Sequence, residues 1–222
     1  MGLFAAGMAA SVVAPAAPAF ADDQPAPEIG SVDDALAALQ AGNRRFVDAQ
    51  MTHPAQDPAR RISLEGGQSP FAVVLSCSDS RLPPEVIFDQ GLGDLFVVRV
   101  AGNIVDAALL GSVEYAVGHL HTPLVVVLGH QKCGAVQATL EALETHTEPH
   151  GDIAALVAAI KPAVAVAGSQ PGDLLENTIR ANATQSSNQI MGSHELEQPL
   201  HDGKLKVVTG YYSLDTGVVS YF

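Results

Sequence analysis

The sequence has only two cysteines and few basic side chains, and each shortage excludes a class of protein. Two cysteines are too few for a small disulfide-stapled scaffold, which needs several bridges. The 11 Lys and Arg residues are outnumbered by 24 Asp and Glu residues, and the net charge is −13. Because proteins that bind nucleic acid or anionic lipid concentrate positive charge, we expect neither partner.

The rest of the composition is typical of one folded domain. Hydrophobic residues make up 47% of the 222 residues, and charged residues make up 16%. A chain this apolar is not disordered, and this length can bury a large core without staples. The longest apolar segment, at the N-terminus, is interrupted by Pro15 and Pro18. It is therefore too short and broken for a membrane span.

Residues 1–21 carry no charged side chain, and residues 19–21 fit the small-x-small cleavage pattern of secretory signals. No Lys or Arg precedes the apolar run, which departs from that pattern. We interpret 1–21 as a signal peptide, 22–31 as a disordered linker and 32–222 as a single domain. The predicted location is periplasmic or secreted, with a cytoplasmic location as the alternative.

Short β-branched runs alternate with helical patterns along the rest of the chain. The predicted strands are 71–76, 95–100, 123–129 and 205–211. The predicted helices are an N-terminal helical arm capped by Ser31, then 111–121, 135–145, 153–167 and 173–188. This alternation implies an α/β fold with a mainly parallel β-sheet flanked by helices. Several Pro and Gly residues within 51–70 predict a loop-rich connection there.

Both cysteines follow predicted strands. Cys77 follows strand 71–76, and His130 and Cys133 follow strand 123–129. Because the carboxyl ends of parallel strands meet at one edge of a sheet, we expect these side chains to lie close together. Two thiolates and one imidazole with an open fourth position are typical of catalytic zinc. Two ordinary buried cysteines, or a redox disulfide between them, are the alternatives.

Asp79 and Arg81 lie two and four residues after Cys77. The carboxylate of Asp79 could accept a hydrogen bond from a metal-bound hydroxide. The guanidinium of Arg81 could bind that carboxylate through two parallel hydrogen bonds, which would keep it ionised. The alternative is a helix cap with a surface ion pair, which contributes about 0–1 kcal/mol.

The two segments, CSDSR at 77–81 and GHQKCG at 129–134, resemble the metal motifs of the β-class carbonic anhydrases. The resemblance covers about residues 32–222. Further similar segments are LQAGNRRF at 39–46, GQSP at 67–70, FVVR at 96–99, EYAV at 114–117, GKLK at 203–206 and GYY at 210–212.

The resemblance implies that Cys77, His130 and Cys133 bind one Zn²⁺ per subunit. It also implies that Asp79 and Arg81 form the catalytic pair that orients the nucleophile. It leaves open a closed state in which Asp79 is a fourth zinc ligand.

The resemblance further implies a substrate pocket. Gln68 would hydrogen-bond a substrate oxygen, Phe96 and Tyr115 would form apolar walls, and the backbone of Gly134 would come close to the site. The resemblance also implies that two subunits complete the pocket, so we expect a homodimer or a tetramer. From the residues alone, Gln68 is interpreted as a solvated loop residue, and the two aromatic residues as core.

The implied reaction is the reversible hydration of carbon dioxide to bicarbonate and a proton by zinc-bound hydroxide. Two thiolates cancel the charge of zinc, so bound water would be acidified less than by three neutral histidines. Three alternatives remain open from the sequence: a hydrolase of carbonyl sulfide or carbon disulfide, a zinc-dependent structural or binding protein without turnover, and a thiol redox protein.

Overall fold

The computed structural model describes residues 29–222, in which strands and helices alternate. The strands are β1 (Ala72–Ser76), β2 (Leu95–Arg99), β3 (Leu124–His130), β4 (Lys206–Tyr212) and β5 (Val219–Tyr221). The helices are α1 (Val32–Val47), α2 (Pro58–Ser63), α3 (Pro84–Ile87), α4 (Ala107–Leu120), α5 (Gly134–Thr145), α6 (Ile153–Ala167), α7 (Leu174–Met191) and α8 (His194–His201). A 3-10 helix spans Ala101–Asn103.

The five strands form one sheet in the order β2-β1-β3-β4-β5. The first four are parallel, and β5 pairs antiparallel with β4. Every residue of the central strands β1 and β3 is buried, as expected when helices cover both faces of a sheet. The predicted α/β fold class is confirmed.

Alternate residues of the central strands enter two separate cores. On one face, Val74 and Val126 pack in a cluster that includes residues of α1, α5, α6 and α7. On the other, Val73 and Val125 pack with residues of α4, α8 and the second half of α7. Helices on both faces leave the carboxyl ends of β1 and β3 as the place where loops can gather polar side chains.

The predicted N-terminal helix is α1. The Ser31 side chain caps it by accepting a hydrogen bond from the Asp34 N–H at 3.1 Å. Near its other end, the buried Asn43 side chain donates to the Gly217 carbonyl at 2.9 Å and accepts from the Val219 N–H at 2.8 Å. These bonds join the helix to the β4–β5 turn of its own chain.

Several elements differ from the sequence-based expectation. The connection 51–70 contains helix α2, because Asp57 caps it with a 2.9 Å bond to the Arg60 N–H and proline occupies its first position. Helix α4 begins at Ala107 rather than Gly111, because Asp106 caps it through the Leu109 N–H. Helix α8 and the short edge strand β5 were not predicted.

The predicted signal peptide, 1–21, and most of the linker, 22–31, lie outside the described residues. Among the helices of residues 29–222, none has the length and apolar character that crossing a membrane requires.

Candidate metal centre

Three side chains from two strand ends meet below the surface. Cys77 directly follows β1, His130 ends β3, and Cys133 is the residue before α5. Their sulfur and nitrogen ligand atoms all lie within 4.8 Å of one another. Lys132 has a left-handed backbone, with φ of 54°, and this turn brings Cys133 back toward His130. The predicted gathering of the three residues is confirmed.

The orientation of His130 suits a metal ligand. Its Nδ1 lies 3.0 Å from the Gln131 carbonyl oxygen, so the proton belongs on Nδ1 and the Nε2 lone pair is free. Nε2 is buried and has no hydrogen-bond partner among the described residues. A buried polar atom without a partner is unfavourable unless something binds it. Two sulfurs and this nitrogen form a group that could hold a metal ion such as zinc.

The pKa values of the two thiols shift in opposite directions. Hydrogen bonding with Cys133 and with the Gly102 N–H outweighs the opposing effect of burial and lowers the pKa of Cys77 well below its usual value. The same interaction and burial raise the pKa of Cys133. One thiolate is therefore stabilised by the proton of its neighbour. A cation bound between them would take the place of that proton and favour both thiolates.

Asp79 and Arg81 form the predicted pair beside this group. Arg81 Nε donates to Asp79 Oδ1 at 2.9 Å, and Arg81 Nη2 donates to Oδ2 at 2.7 Å. The Arg81 guanidinium holds the pKa of the Asp79 carboxyl well below its usual range. Asp79 Oδ2 lies 3.9 Å from His130 Nε2. The ionised Asp79 carboxylate thus lies beside the candidate metal ligands, and Arg81 fixes the orientation of that carboxylate.

Comparisons with known proteins identify the family. Residues 72–219 match the carbonic anhydrase family. The carbonic anhydrase of Mycolicibacterium smegmatis is 46% identical over 185 residues, which cover 82% of this chain and 89% of that protein. Carbonic anhydrase 2 of Mycobacterium tuberculosis is 41% identical over 181 residues, covering 81% and 87%. This chain belongs to the β-class carbonic anhydrases. It is an enzyme of carbon dioxide hydration, a lyase.

The fold of this carbonic anhydrase also matches solved structures of the class. Two tetrameric β-carbonic anhydrases from Sordaria macrospora have been solved. The matching chain aligns with a TM-score of 0.66 and 21% identity, covering 85% of this chain and 97% of that one. At this identity the likeness concerns the fold.

The residues predicted to bind substrate are less enclosed than the predicted metal ligands of this carbonic anhydrase. Phe96 is half-buried on β2, and its ring centroid lies 6.3 Å from that of Tyr115 on α4. Tyr115 is 46% exposed and stacks on His119. Gln68 is exposed in the loop before β1. Gly134 begins α5 directly after Cys133. The roles of these four residues in substrate binding stay predictions.

Sequence reasoning missed Arg99, which fixes the loop that carries Cys77. Arg99 Nε donates to the Cys77 carbonyl at 3.0 Å, and Arg99 Nη2 donates to the Asp79 carbonyl at 2.6 Å. The sequence did contain an indication of this role, because Arg99 is the one charged residue in the otherwise apolar run of β2. Because a charge in that position requires partners, it could have been assigned to the neighbouring loop.

Sequence reasoning also missed a pair of hydrogen bonds, called here the Gln131–Asp215 clamp, that holds the loop after His130. Gln131 Nε2 donates to Asp215 Oδ2 at 2.6 Å, and the Asp215 N–H donates to Gln131 Oε1 at 3.1 Å. The pair joins the loop after β3 to the β4–β5 turn. No local pattern connects two residues this far apart in the chain, so the sequence offered no signal for the contact.

Proposed function

We propose that this carbonic anhydrase uses one Zn²⁺ per chain, held by Cys77, His130 and Cys133. The buried nitrogen without a partner and the two sulfurs carry the proposal. Thiolate and imidazole are preferred zinc ligands, and three protein ligands leave a fourth position for water. A zinc ion bound there would supply hydroxide near neutral pH by lowering the pKa of its water.

The Asp79–Arg81 pair would orient the nucleophile. With both Asp79 oxygens facing Arg81, the carboxylate is ionised and can only accept hydrogen bonds. It would therefore accept a hydrogen bond from the zinc-bound hydroxide, which keeps its proton, and so direct the oxygen lone pair toward carbon dioxide. The observed Asp79–Arg81 pair favours this open arrangement. Ligation by Asp79 in a closed state would require the carboxylate to leave Arg81.

Gln68, Phe96, Tyr115 and Gly134 would form the substrate pocket. Carbon dioxide is small and apolar, so aromatic walls suit it, and an amide can hydrogen-bond an oxygen as charge develops there. The short separation of the Phe96 and Tyr115 rings supports a common wall. The exposure of Tyr115 and Gln68 in the single chain supports a wall that a second subunit completes.

For this reason we propose a homodimer as the smallest active unit, with a tetramer of two dimers as the larger form. The tetrameric Sordaria macrospora enzymes with this fold support such assembly. Analytical ultracentrifugation over a range of concentrations tests it. A dimer or tetramer at assay concentration is expected, and a fully active monomer would exclude a shared pocket.

A pH–rate profile combined with metal analysis tests the proposed chemistry. We expect carbon dioxide hydration to rise between about pH 6.5 and 9, as bound water ionises. Metal analysis of the same preparation should find about one zinc per chain. A flat or falling profile would contradict nucleophilic hydroxide. Turnover of carbonyl sulfide or carbon disulfide by the same preparation would show whether either is a substrate.

A further inference from the structure

The sulfur of Cys77 accepts a hydrogen bond from the protein backbone. The Gly102 N–H lies 3.2 Å from Cys77 Sγ, and both residues are buried. An N–H aimed at a thiolate withdraws electron density from the sulfur and fixes its direction. Such contacts tune a metal centre through its ligands.

The turn that carries this N–H requires glycine. Gly102 has φ of 75°, a left-handed conformation that disfavours other residues. A Cβ at this position would also lie 2.8 Å from Cδ1 of Ile160 and 3.1 Å from Cβ of Ala135. The 3-10 helix Ala101–Asn103 therefore packs tightly against α5 and α6, and a small shift would move the N–H relative to the sulfur.

Two polar residues of α7 also hold this turn, through hydrogen bonds to its carbonyl groups. Asn182 Nδ2 donates to the Gly102 carbonyl at 2.7 Å, and Ser186 Oγ donates to the Asn103 carbonyl at 2.8 Å. Both side chains are fully buried. They are four residues apart, so they share one face of the helix. Burying polar groups is unfavourable unless they are hydrogen-bonded, and the bonds of the Asn182 amide nitrogen and the Ser186 hydroxyl both go to the turn.

We propose that Asn182 and Ser186 are positioning residues for the metal centre, holding the 101–103 turn so that the Gly102 N–H stays on Cys77 Sγ. The inference rests on the proposed zinc ligation by Cys77. It assigns a function to a buried polar face of α7 whose hydrogen bonds go to the 101–103 turn. These residues would set how strongly the Cys77 sulfur donates to the metal.

Asn182→Leu and Ser186→Ala test the inference, with Ser187→Ala as the matched control. Ser187 is also a buried serine of α7, but its Oγ pairs with Thr209 Oγ1 of β4 at 2.7 Å, away from the turn. Each variant and the wild type would be loaded with Co²⁺, and the sulfur-to-cobalt charge-transfer band would be recorded. Zinc affinity would be measured by competition with a chelator.

Loosening the turn should weaken the N–H···S bond and raise the energy of the sulfur electrons. The charge-transfer band should then move to lower energy in Asn182→Leu and Ser186→Ala. Because the N–H also fixes the direction of the sulfur toward the metal, its loss should lower zinc affinity by about 10- to 100-fold. Ser187→Ala should match the wild type in both measurements. If Asn182→Leu does not fold, Ser186→Ala decides the question alone.

An unchanged band and affinity in a folded Ser186→Ala or Asn182→Leu variant would overturn the inference while leaving the proposed zinc site intact. A control that changes as much as the test variants would also overturn it, because the effect would then be general loosening of α7. A wild type that binds neither Co²⁺ nor Zn²⁺ would instead reject the proposed function, and the inference with it.

Discussion

The proposed metal ligands and the predicted substrate wall differ in how one chain surrounds them. Cys77, His130 and Cys133 are 4%, 0% and 1% exposed, whereas Tyr115 is 46% exposed and Gln68 lies on the surface. Strands β1 and β3 of one sheet position the three proposed ligands, so a single chain supplies all of them. The predicted wall lies on β2, α4 and the loop before β1, and we propose that a second subunit completes it. Substitutions in the two regions should therefore have separable effects.

The largest effect is expected from Cys133→Ser. A hydroxyl is a poor replacement for a thiolate ligand, so metal and activity should be lost together. Because a bound zinc would supply several kcal/mol of catalysis, turnover should fall by at least about 10³-fold. Metal analysis and a hydration assay check this. Gln137→Ala, on the exposed face of α5, is the control and should keep both. Full zinc retention by Cys133→Ser would remove Cys133 from the ligand set.

Asp79→Asn should separate orientation from metal binding. The amide resembles the carboxylate in shape but cannot pair with Arg81 as an anion. We expect turnover to fall by about 10²-fold, as when one preorganised group is lost, with zinc content unchanged. Hydration rates and metal analysis would be measured beside Ser80→Ala, an exposed neighbour. Undiminished turnover would exclude the orienting role, and loss of zinc would indicate that Asp79 is a ligand.

Gln68→Ala should have a smaller effect, restricted to the substrate wall. A single hydrogen bond contributes about 0.5–1.5 kcal/mol. We therefore expect kcat/KM for hydration to fall by about 2- to 10-fold, with metal content and Co²⁺ spectra unchanged. The exposed neighbour Ser69 provides the control variant, Ser69→Ala. A change in zinc affinity in Gln68→Ala would mean that the two regions are not separable.

Asp89→Asn should have the smallest effect on activity and act on stability instead. The Asp89 side chain is fully buried, and it accepts bonds from Arg45 Nε at 2.5 Å, the Thr52 N–H at 3.0 Å and the His53 N–H at 3.0 Å. Losing the charge should lower the free energy of unfolding by about 1.5–3 kcal/mol, because bonds to a charged acceptor weaken. Urea denaturation of the wild type and of Asp89→Asn measures this difference in the free energy of unfolding.

The pH dependence of that stability has a definite sign. Burial alone would raise the pKa of Asp89, but the Thr52 N–H and Arg45 lower it below its ordinary value. A depressed pKa stabilises the fold above the unfolded-state value of about 3.9, and this stabilisation is lost as pH falls through the folded pKa. The wild-type advantage over Asp89→Asn should therefore hold at pH 6 and shrink below about pH 4. A constant advantage at all pH values would contradict the assignment.

The sequence predicted what local patterns encode. Continuous apolar runs placed β1 and β3, and the parallel arrangement then brought Cys77 to His130 and Cys133 without any knowledge of tertiary contacts. The spacing of Asp79 and Arg81 likewise anticipated a pair that forms within one loop.

Contacts between distant segments could not be predicted in the same way. The Gln131–Asp215 clamp and the Asn182–Gly102 bond join residues that only the folded chain brings together. Helix α2 was missed because proline and glycine suggested a loop, although Asp57 and Pro58 together form a helix start. Strand β5 has three residues and gains its stability from pairing with β4, so its own sequence carries little signal.

Removal and return of the metal test the central claim most directly. The wild-type protein would be assayed for carbon dioxide hydration as purified, after chelation, and after addition of one equivalent of Zn²⁺, with zinc analysis at each stage. We predict about one zinc per chain at first, loss of hydration with loss of zinc, and recovery of both on addition. Hydration that persists in the zinc-free protein, or a fully zinc-loaded protein without hydration, would contradict the account.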